Sequence, residues 1–187
     1  MNNKLIIVTG ILAGGKTTFS IELSRQINIP CFNKDFIKIE LNKNIEINNR
    51  DDSKRLSMAT INIILHVIEI FMKTGKSLII EGNFDKANGE QIKQLLGKYN
   101  YKSLTYLFTG DLKTMHKRFL KRDNSPERDK ANRINGLLDE FPIFETTIKP
   151  LIEFDIGNEI VKIDTTDFEK VNFSHYIKLG NDFLLDN

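Results

Sequence analysis

The stretch GILAGGKTT, residues 10–18, decides how this chain is interpreted. It follows the apolar run KLIIVT, which is typical of a buried strand, and leads into FSIELSRQI, whose apolar residues recur at helical spacing. Three glycines within six residues let the backbone N–H groups turn inward around an anion at the N-terminus of a helix. The spacing matches G-x-x-x-x-G-K-[ST] and predicts a loop that binds nucleotide phosphates.

The residues at the exit of this loop have separate expected roles. The Lys16 ammonium would reach the β- and γ-phosphates, and the Thr17 hydroxyl would ligate Mg²⁺. The alternative is an ordinary glycine-rich turn, but the strand before the motif and the helix after it favour phosphate binding. The expected nucleotide site comprises Gly10, Ala13, Gly14, Gly15, Lys16, Thr17 and Thr18.

Composition narrows the class of protein. The chain has 187 residues, 40% of them hydrophobic, which suits one substantial domain covering residues 1–187. Lys and Arg number 27 against 25 Asp and Glu, and they form no long basic run, so a nucleic-acid partner is possible but not favoured. Cys31 is the one cysteine, and no signal peptide is evident, so we expect a cytoplasmic protein that is a monomer or a homodimer.

One apolar stretch, MATINIILHVIEIFM at residues 58–72, could be mistaken for a membrane span. Asn62, His66, Glu69 and Lys73 recur along it at helical spacing and form one polar stripe. This pattern predicts a helix of the domain core, buried over most of its circumference, rather than a segment in a bilayer. His66 lies on the polar stripe, where a solvated histidine is the expected case.

Apolar strands alternate with helical patterns along the whole chain. The predicted strands are residues 4–9, 30–33, 77–81, 103–109 and 159–164. The predicted helices are residues 17–27, 55–73, 89–97, a helix capped by Asp111, parts of 129–154 with an interruption near Pro142, and 171–185. This alternation predicts one α/β domain with a parallel sheet covered on both faces.

Three polar side chains follow predicted strands at the edge where α/β sheets place their ligands. Asp35 comes just after the second strand, where it could accept the proton of an attacking hydroxyl, or could merely cap a helix beginning at Phe36. Glu81 ends the third strand and is a candidate to steady Mg²⁺ or its water shell. Asn83, two residues later, is a candidate substrate contact.

The segment KRFLKRDNSPERDKANR is rich in arginine and contains the turn-like DNSP. A solvated basic helix is the plain interpretation. Phosphoryl transfer, however, uses cations that close over the γ-phosphate and exclude water. We therefore interpret residues 122–133 as a small lid, with Arg122 and Arg128 as catalytic candidates, and expect it to be loosely held without ligand because it has almost no apolar residue to bury.

From end to end, the chain resembles the P-loop kinases of the small-molecule and polynucleotide kinase type, including gluconate kinase-like, chloramphenicol phosphotransferase-like and zeta toxin-like proteins. The segments that carry the resemblance are LIIVTGILAGGKTTFSIELSRQI, KDFIK, LIIEGNF, LFTGDLKTMHKRFLKRDNSPER and VKIDTTDFEKVN. The resemblance implies a five-stranded parallel sheet of order 2-3-1-4-5, with helices on both faces and a lid.

The resemblance also implies roles for individual residues. The residue matching Asp35 activates the acceptor hydroxyl, and those matching Arg122 and Arg128 contact phosphates. Arg118 and the loop beginning at Thr165 match positions near the adenine. Together with the loop motif, these matches indicate an ATP-dependent, Mg²⁺-requiring transfer of the γ-phosphoryl group to a hydroxyl of a small molecule.

The chain departs from the family pattern in two places. Leu12 and Ala13 stand where the family commonly has proline and glycine, and no His-Pro pair follows the lid arginine. Alanine does not adopt the backbone angles of such a glycine cheaply, so either the loop is distorted or this position tolerates alanine.

Other functions remain open at this stage. A polynucleotide 5′-hydroxyl kinase and a toxin that phosphorylates a nucleotide sugar would use the same residues. A nucleotide-binding regulatory module would need neither Asp35 nor the lid arginines. The identity of the acceptor is not readable from the residues.

Overall fold

A computed structural model describes residues 3–134, 136–153 and 156–186. Its centre is a five-stranded sheet of order β2-β3-β1-β4-β5, and all four strand pairs are parallel. The strands are β1 Lys4–Gly10, β2 Cys31–Asn33, β3 Leu78–Glu81, β4 Lys102–Thr109 and β5 Glu159–Asp164. This confirms the predicted α/β class and the strand order 2-3-1-4-5.

Helices follow every strand and lie on both faces of the sheet. They are α1 Lys16–Ile27, α2 Lys34–Asn42, α3 Arg50–Lys73, α4 Lys86–Tyr99, α5 Leu112–Asp123, α6 Phe141–Ile152 and α7 Phe173–Leu185. Two short 3₁₀ helices, Lys130–Asn132 and Phe168–Lys170, lie in the connections on either side of β5. Asp111 caps α5 as expected, with its carboxylate accepting a hydrogen bond from the Thr114 N–H.

Strand β1 is the middle strand of the sheet, and all seven of its residues are buried. Its side chains alternate between two hydrophobic cores. Ile6 and Val8 belong to the core formed with α1, α5, α6 and α7, whereas Leu5 and Ile7 belong to the core formed with α3 and α4. The carboxyl end of β1 therefore delivers the glycine-rich loop to the centre of one sheet edge.

Helix α3 is less buried than the sequence predicted. One face, which includes Ile64 and Ile68, packs into the core, but Ile63 and Ile70 are exposed. The expectation of burial over most of the circumference was wrong because α4 and the sheet cover α3 from one side. Within the described part of the chain, α3 is the one helix whose length and apolar composition would allow it to cross a membrane, and one face of it packs against the sheet.

Two further predictions about helices need correction. Pro142 does not interrupt a helix but lies in the first turn of α6, where its missing N–H costs no hydrogen bond. Within the predicted helical range 129–154 the structure has a 3₁₀ turn and α6. Residue 154, the end of that range, lies outside the described residues. Helix α3 begins at Arg50 instead of residue 55, since Asn49 caps it by accepting a hydrogen bond from the Asp52 N–H.

Candidate nucleotide and acceptor site

The loop after β1 has the backbone that its glycines suggested. Gly10 and Gly15 adopt positive φ angles of 114° and 86°. A β-carbon at Gly10 would overlap the Phe108 carbonyl, so only glycine fits there. Ala13 also adopts a left-handed conformation, with φ of 58°. The position thus accommodates alanine in the glycine-like conformation, at a cost of about 1 kcal/mol.

The side chain of Lys16 lies across this loop. Its Nζ donates hydrogen bonds to the carbonyl oxygens of Gly10 and Ile11 over 3.2 and 2.6 Å. Lys16 is 7% exposed, and burial lowers the pKa of its ammonium to about 8, although the nearby Glu81 carboxylate opposes this shift. The ammonium is therefore held by neutral carbonyl dipoles, and an anion in the loop would be a stronger partner.

Thr17 and Glu81 meet where α1 begins and β3 ends. The Thr17 hydroxyl donates a hydrogen bond to Glu81 Oε2 over 3.1 Å, and the Asn33 amide donates one to the same oxygen. Burial raises the pKa of Glu81 to about 7, while the Lys16 ammonium opposes this rise. Parallel register places Asn33 beside Glu81 and Glu81 beside Val8.

This pair has the donor chemistry that Mg²⁺ prefers, a hydroxyl and a carboxylate. Among the described residues no group of three or more His, Cys, Asp or Glu side chains could hold a metal ion alone. Mg²⁺ usually keeps several waters and completes its shell with substrate phosphates, so two protein oxygens beside a phosphate loop fit such a site.

Asp35 lies in the first turn of α2, and it does not cap this helix. The cap is Asn33, whose Oδ1 accepts the hydrogen bond from the Phe36 N–H over 2.9 Å. The alternative in which Asp35 caps a helix beginning at Phe36 was therefore wrong, because Asn33 takes that bond and the helix begins at Lys34. The Asp35 carboxylate is 45% exposed and lies 3.7 Å from Arg128 Nη2.

A cavity of about 950 Å³ opens beside the phosphate loop. Asp35, Asn83, Arg122 and Arg128 all line it, although they come from three separate segments of the chain: α2, the connection after β3 and residues 122–133. The Asn83 Oδ1 and the Arg122 Nε are buried there and lack a hydrogen-bond partner. Burial and the Arg128 cation lower the pKa of Arg122. The Asn83 Oδ1 and the Arg122 Nε are therefore suited to form hydrogen bonds with a ligand in the cavity.

The lid segment has more internal support than its composition suggested. Arg133 donates hydrogen bonds to the carbonyl oxygens of Ser125 and Arg128, each over 3.1 Å. Asp123 Oδ2 accepts the Ile134 N–H over 3.1 Å, and Ala131 is buried. The expectation that nothing would offset the cost of ordering this segment needs correction, since long polar side chains fix its backbone.

Arg118 and the loop after β5, which match positions near the adenine, contact each other. Arg118 donates hydrogen bonds to the carbonyl oxygens of Thr165 and Thr166 over 2.5 and 2.8 Å. Its guanidinium also stacks on Phe168, 4.2 Å from the ring centroid. Phe168 is 38% exposed and faces Gly15, so the stack adjoins the phosphate loop.

Sequence reasoning missed three residues of this region. Nothing in the sequence distinguishes Phe168 from other aromatic residues. Asn132 donates a hydrogen bond from Nδ2 to the Asp35 carbonyl oxygen over 3.3 Å, which ties the lid to α2 across 97 positions of the chain. Lys38 lines the cavity and is buried, and its spacing of three residues from Asp35 was the signal that could have found it.

Of the expected nucleotide residues, Gly14 faces Thr165, while Thr18 is exposed on α1.

Comparisons with solved structures agree with this architecture. A candidate kinase from Chloroflexus aurantiacus J-10-fl superimposes with a TM-score of 0.83, at 24% identity, over 99% of this chain and 98% of that chain. The chain has the fold of a P-loop kinase. A gluconokinase from Sinorhizobium meliloti 1021 gives a TM-score of 0.57 at 9% identity, over 98% of this chain and 92% of that chain. A sugar kinase from Janibacter sp. HTCC2649 gives 0.58 at 11% identity, over 98% and 95% of the two chains.

No protein-family model matches the chain, and no curated protein matches it by sequence. The likeness to these kinases is therefore a likeness of fold.

Proposed function

We propose that the protein is an ATP-dependent phosphotransferase that moves the γ-phosphoryl group to a hydroxyl of a small molecule. One observation carries this proposal. The Asp35 carboxylate, released from helix capping by Asn33, lines the same cavity as Arg122 and Arg128, beside the phosphate loop. A regulatory module would not need a carboxylate in that position.

ATP would bind with its phosphates in the loop of residues 10–17. Backbone N–H groups at the start of α1 and the Lys16 ammonium would surround the β- and γ-phosphates. The ammonium needs only to exchange two carbonyl oxygens for phosphate oxygens. The exposed faces of Arg118 and Phe168, next to Gly15, would receive the adenine.

Thr17 and Glu81 would hold Mg²⁺, Thr17 through its hydroxyl and Glu81 directly or through a bound water. When bound, Mg²⁺ supplies positive charge beside the β- and γ-phosphates. An ion there would take the place of the hydrogen bond that now joins the two side chains.

Asp35 would position the acceptor hydroxyl and accept its proton. In the transfer step the acceptor oxygen forms a bond to the γ-phosphorus, the bond from that phosphorus to the β–γ bridging oxygen breaks, and ADP leaves. Arg122 and Arg128 would stabilise the charge on the transferring group, and closure of the lid would exclude water. Asn83 would contact the acceptor through its unpartnered Oδ1.

The setting of this enzyme is part of the same proposal. We place it in the cytoplasm as a single-domain protein, residues 1–187, with the lid at 122–133 and with ATP, Mg²⁺ and an unidentified hydroxyl compound as its ligands. The kinases of similar fold include a gluconokinase and a sugar kinase, which favours a small-molecule acceptor over a polynucleotide or a nucleotide sugar.

An acceptor screen tests the proposal. The protein is incubated with ATP and Mg²⁺ and with sugars, polyols, hydroxy acids, sugar phosphates, nucleotide sugars or 5′-hydroxyl oligonucleotides. ADP release is followed in parallel with the mass of the acceptor. We expect at least one acceptor to gain a phosphoryl group, and the Asp35→Asn variant to fail with it. ATP binding without transfer to any class would favour the regulatory module.

A further inference from the structure

The cavity that contains Asp35 has a strongly positive lining, although the whole protein carries a net charge of only +2. Among the described residues that line it, Asp35 is the only carboxylate. In the proposed function, Arg122 and Arg128 bind the phosphoryl group that is transferred from ATP. Six further cations also line the cavity: Lys34, Lys38, Arg50, Lys54, Lys130 and Arg133.

Lys38 differs from the others because it is buried. It is 8% exposed, and its Nζ donates a hydrogen bond to the Ser53 hydroxyl over 3.0 Å. In the part of the chain that the structure describes, no carboxylate lies within ion-pair distance of this ammonium. Asp35 attracts this ammonium without bonding to it, and a buried ammonium that donates its hydrogen bond to a neutral hydroxyl is costly unless a ligand supplies a negative charge in direct contact.

The position of Lys38 relates it to the acceptor rather than to ATP. It lies three residues after Asp35, so both side chains project from the same face of α2. Ser53 belongs to the first turns of α3, which form the wall of the cavity together with residues 47–49. Lys38 thus lies one helical turn from the proposed base, and its hydrogen bond to Ser53 places both residues where α2 and α3 line the cavity together.

We propose that Lys38 and Ser53 form an anion subsite, so that the acceptor carries a phosphate or carboxylate group a few bonds from the hydroxyl that is phosphorylated. The subsite rests on the proposed function and narrows its substrate class to anionic hydroxyl compounds. Lys34, also on α2, adds positive charge beside it. Burial and the neighbouring Lys34 cation lower the pKa of Lys38, and a bound anion would reverse that direction.

Three small compounds with one carbon skeleton test this subsite: glycerol, glycerate and glycerol 3-phosphate. Each is titrated into the whole protein by calorimetry, with Mg²⁺ and the non-hydrolysable analogue AMP-PNP present to fill the phosphate loop. We expect glycerate or glycerol 3-phosphate to bind at least about tenfold more tightly than glycerol, since charge-assisted hydrogen bonds to a buried ammonium are strong. The two anionic compounds distinguish a carboxylate from a phosphate.

Variants separate a binding role from a structural one. Lys38→Met should bring the ratio of anion affinity to glycerol affinity close to one, while its AMP-PNP affinity stays within about twofold of the wild type. Lys38→Arg should keep the preference for anions. Lys43→Met is the matched control, because Lys43 caps the other end of α2 and pairs with the exposed Glu40. If Lys38→Met does not fold, the anion preferences of the wild type and of Lys38→Arg still test the subsite.

Two results would overturn the subsite. One is equal affinity for glycerol and both anions, or no binding of either anion at about 10 mM, where even a millimolar ligand is mostly bound. The other is a Lys38→Met variant that keeps the full preference. Failure of AMP-PNP to bind would instead refute the proposed kinase function, and the difference between wild type and Lys38→Met would still decide the anion preference.

Discussion

Arg128 Nη2 lies 3.7 Å from Asp35 Oδ2, so a lid arginine contacts the proposed catalytic carboxylate across the mouth of the cavity. The same arginine donates a hydrogen bond to the Asn132 carbonyl oxygen over 2.9 Å, and its Nε is buried without a hydrogen-bond partner. A γ-phosphate would compete with Asp35 for this guanidinium. Nucleotide binding would therefore leave Asp35 available to the acceptor hydroxyl.

Replacement of Asp35 by Asn removes the proposed base but keeps its size. We expect Asp35→Asn to bind ATP almost normally and to lose phosphoryl transfer by about a hundredfold or more. Binding is measured by calorimetry and transfer by ADP release. Glu40→Gln is the control, since Glu40 is exposed on the same helix. Full transfer by Asp35→Asn would remove this residue from the mechanism.

Truncation of Lys16 tests the phosphate loop. Lys16→Ala should abolish turnover or weaken ATP binding by about tenfold or more, because it removes the cation expected at the β- and γ-phosphates. The fold should persist, since the Lys16 ammonium bonds only to carbonyl oxygens of its own loop. Circular dichroism checks the fold. Unchanged ATP affinity and rate would refute the nucleotide site.

The lid combines a kinetic and a proteolytic test. Arg128→Ala should slow transfer by about a hundredfold and weaken ATP binding much less, because its cation acts mainly on the transition state. Lys121→Ala, at an exposed position of α5, is the control. AMP-PNP with Mg²⁺ should also slow tryptic cleavage within residues 122–133.

The hydrogen bonds from Arg133 to Ser125 and Arg128 refine the proteolytic test. Free protein should be cut here more slowly than an unstructured peptide, and Arg133→Ala should accelerate the cut. If cleavage does not respond to nucleotide and Arg128→Ala has no effect, these arginines take no part in phosphoryl transfer.

The stack of Arg118 on Phe168 predicts an effect on adenine binding. Phe168→Ala should weaken ATP binding by about three- to tenfold, because a cation–π contact beside the phosphate loop is lost together with an apolar face for the base. Phe36→Ala is the control, because Phe36 is also an exposed phenylalanine and lies on α2. The comparison of ATP with inorganic tripolyphosphate isolates the base, and equal losses for both ligands would contradict this role.

Cys31 gives a pH-dependent prediction at the start of β2. Burial raises the pKa of its thiol from 9.0 to about 11. Because the raised pKa disfavours the reactive thiolate, iodoacetamide should alkylate folded protein at pH 8 about a hundredfold more slowly than an ordinary thiol. The rate should keep rising with pH toward 11, until the protein unfolds. A midpoint near 9 would show that the thiol is not buried.

The parts of this protein that depend on neighbouring residues were predictable from the sequence. The spacing of Gly10, Gly15, Lys16 and Thr17 predicted the loop, since positive φ angles and a helix start are local requirements. Apolar strands between helices predicted the parallel sheet, and buried strands need cover on both faces. Resemblance supplied the strand order.

Other features required contacts between distant segments. Asn33 rather than Asp35 caps α2, and the hydrogen bond from Asn33 to Glu81, on the distant strand β3, helps to hold Asn33 in the capping position. The bonds from Arg118 to Thr165 and from Asn132 to Asp35 join residues 47 and 97 positions apart.

The glycine-rich loop and the succession of strands and helices along the chain were thus determined by the sequence itself, through backbone angles and hydrophobic periodicity. Only the tertiary structure decided which cations face the acceptor cavity, that Lys38 is buried there, and how polar bonds hold the lid. The physical reason is that the charge lining a cavity, and the burial of each group, depend on which surfaces the fold brings together. Residue spacing along the chain does not specify those surfaces.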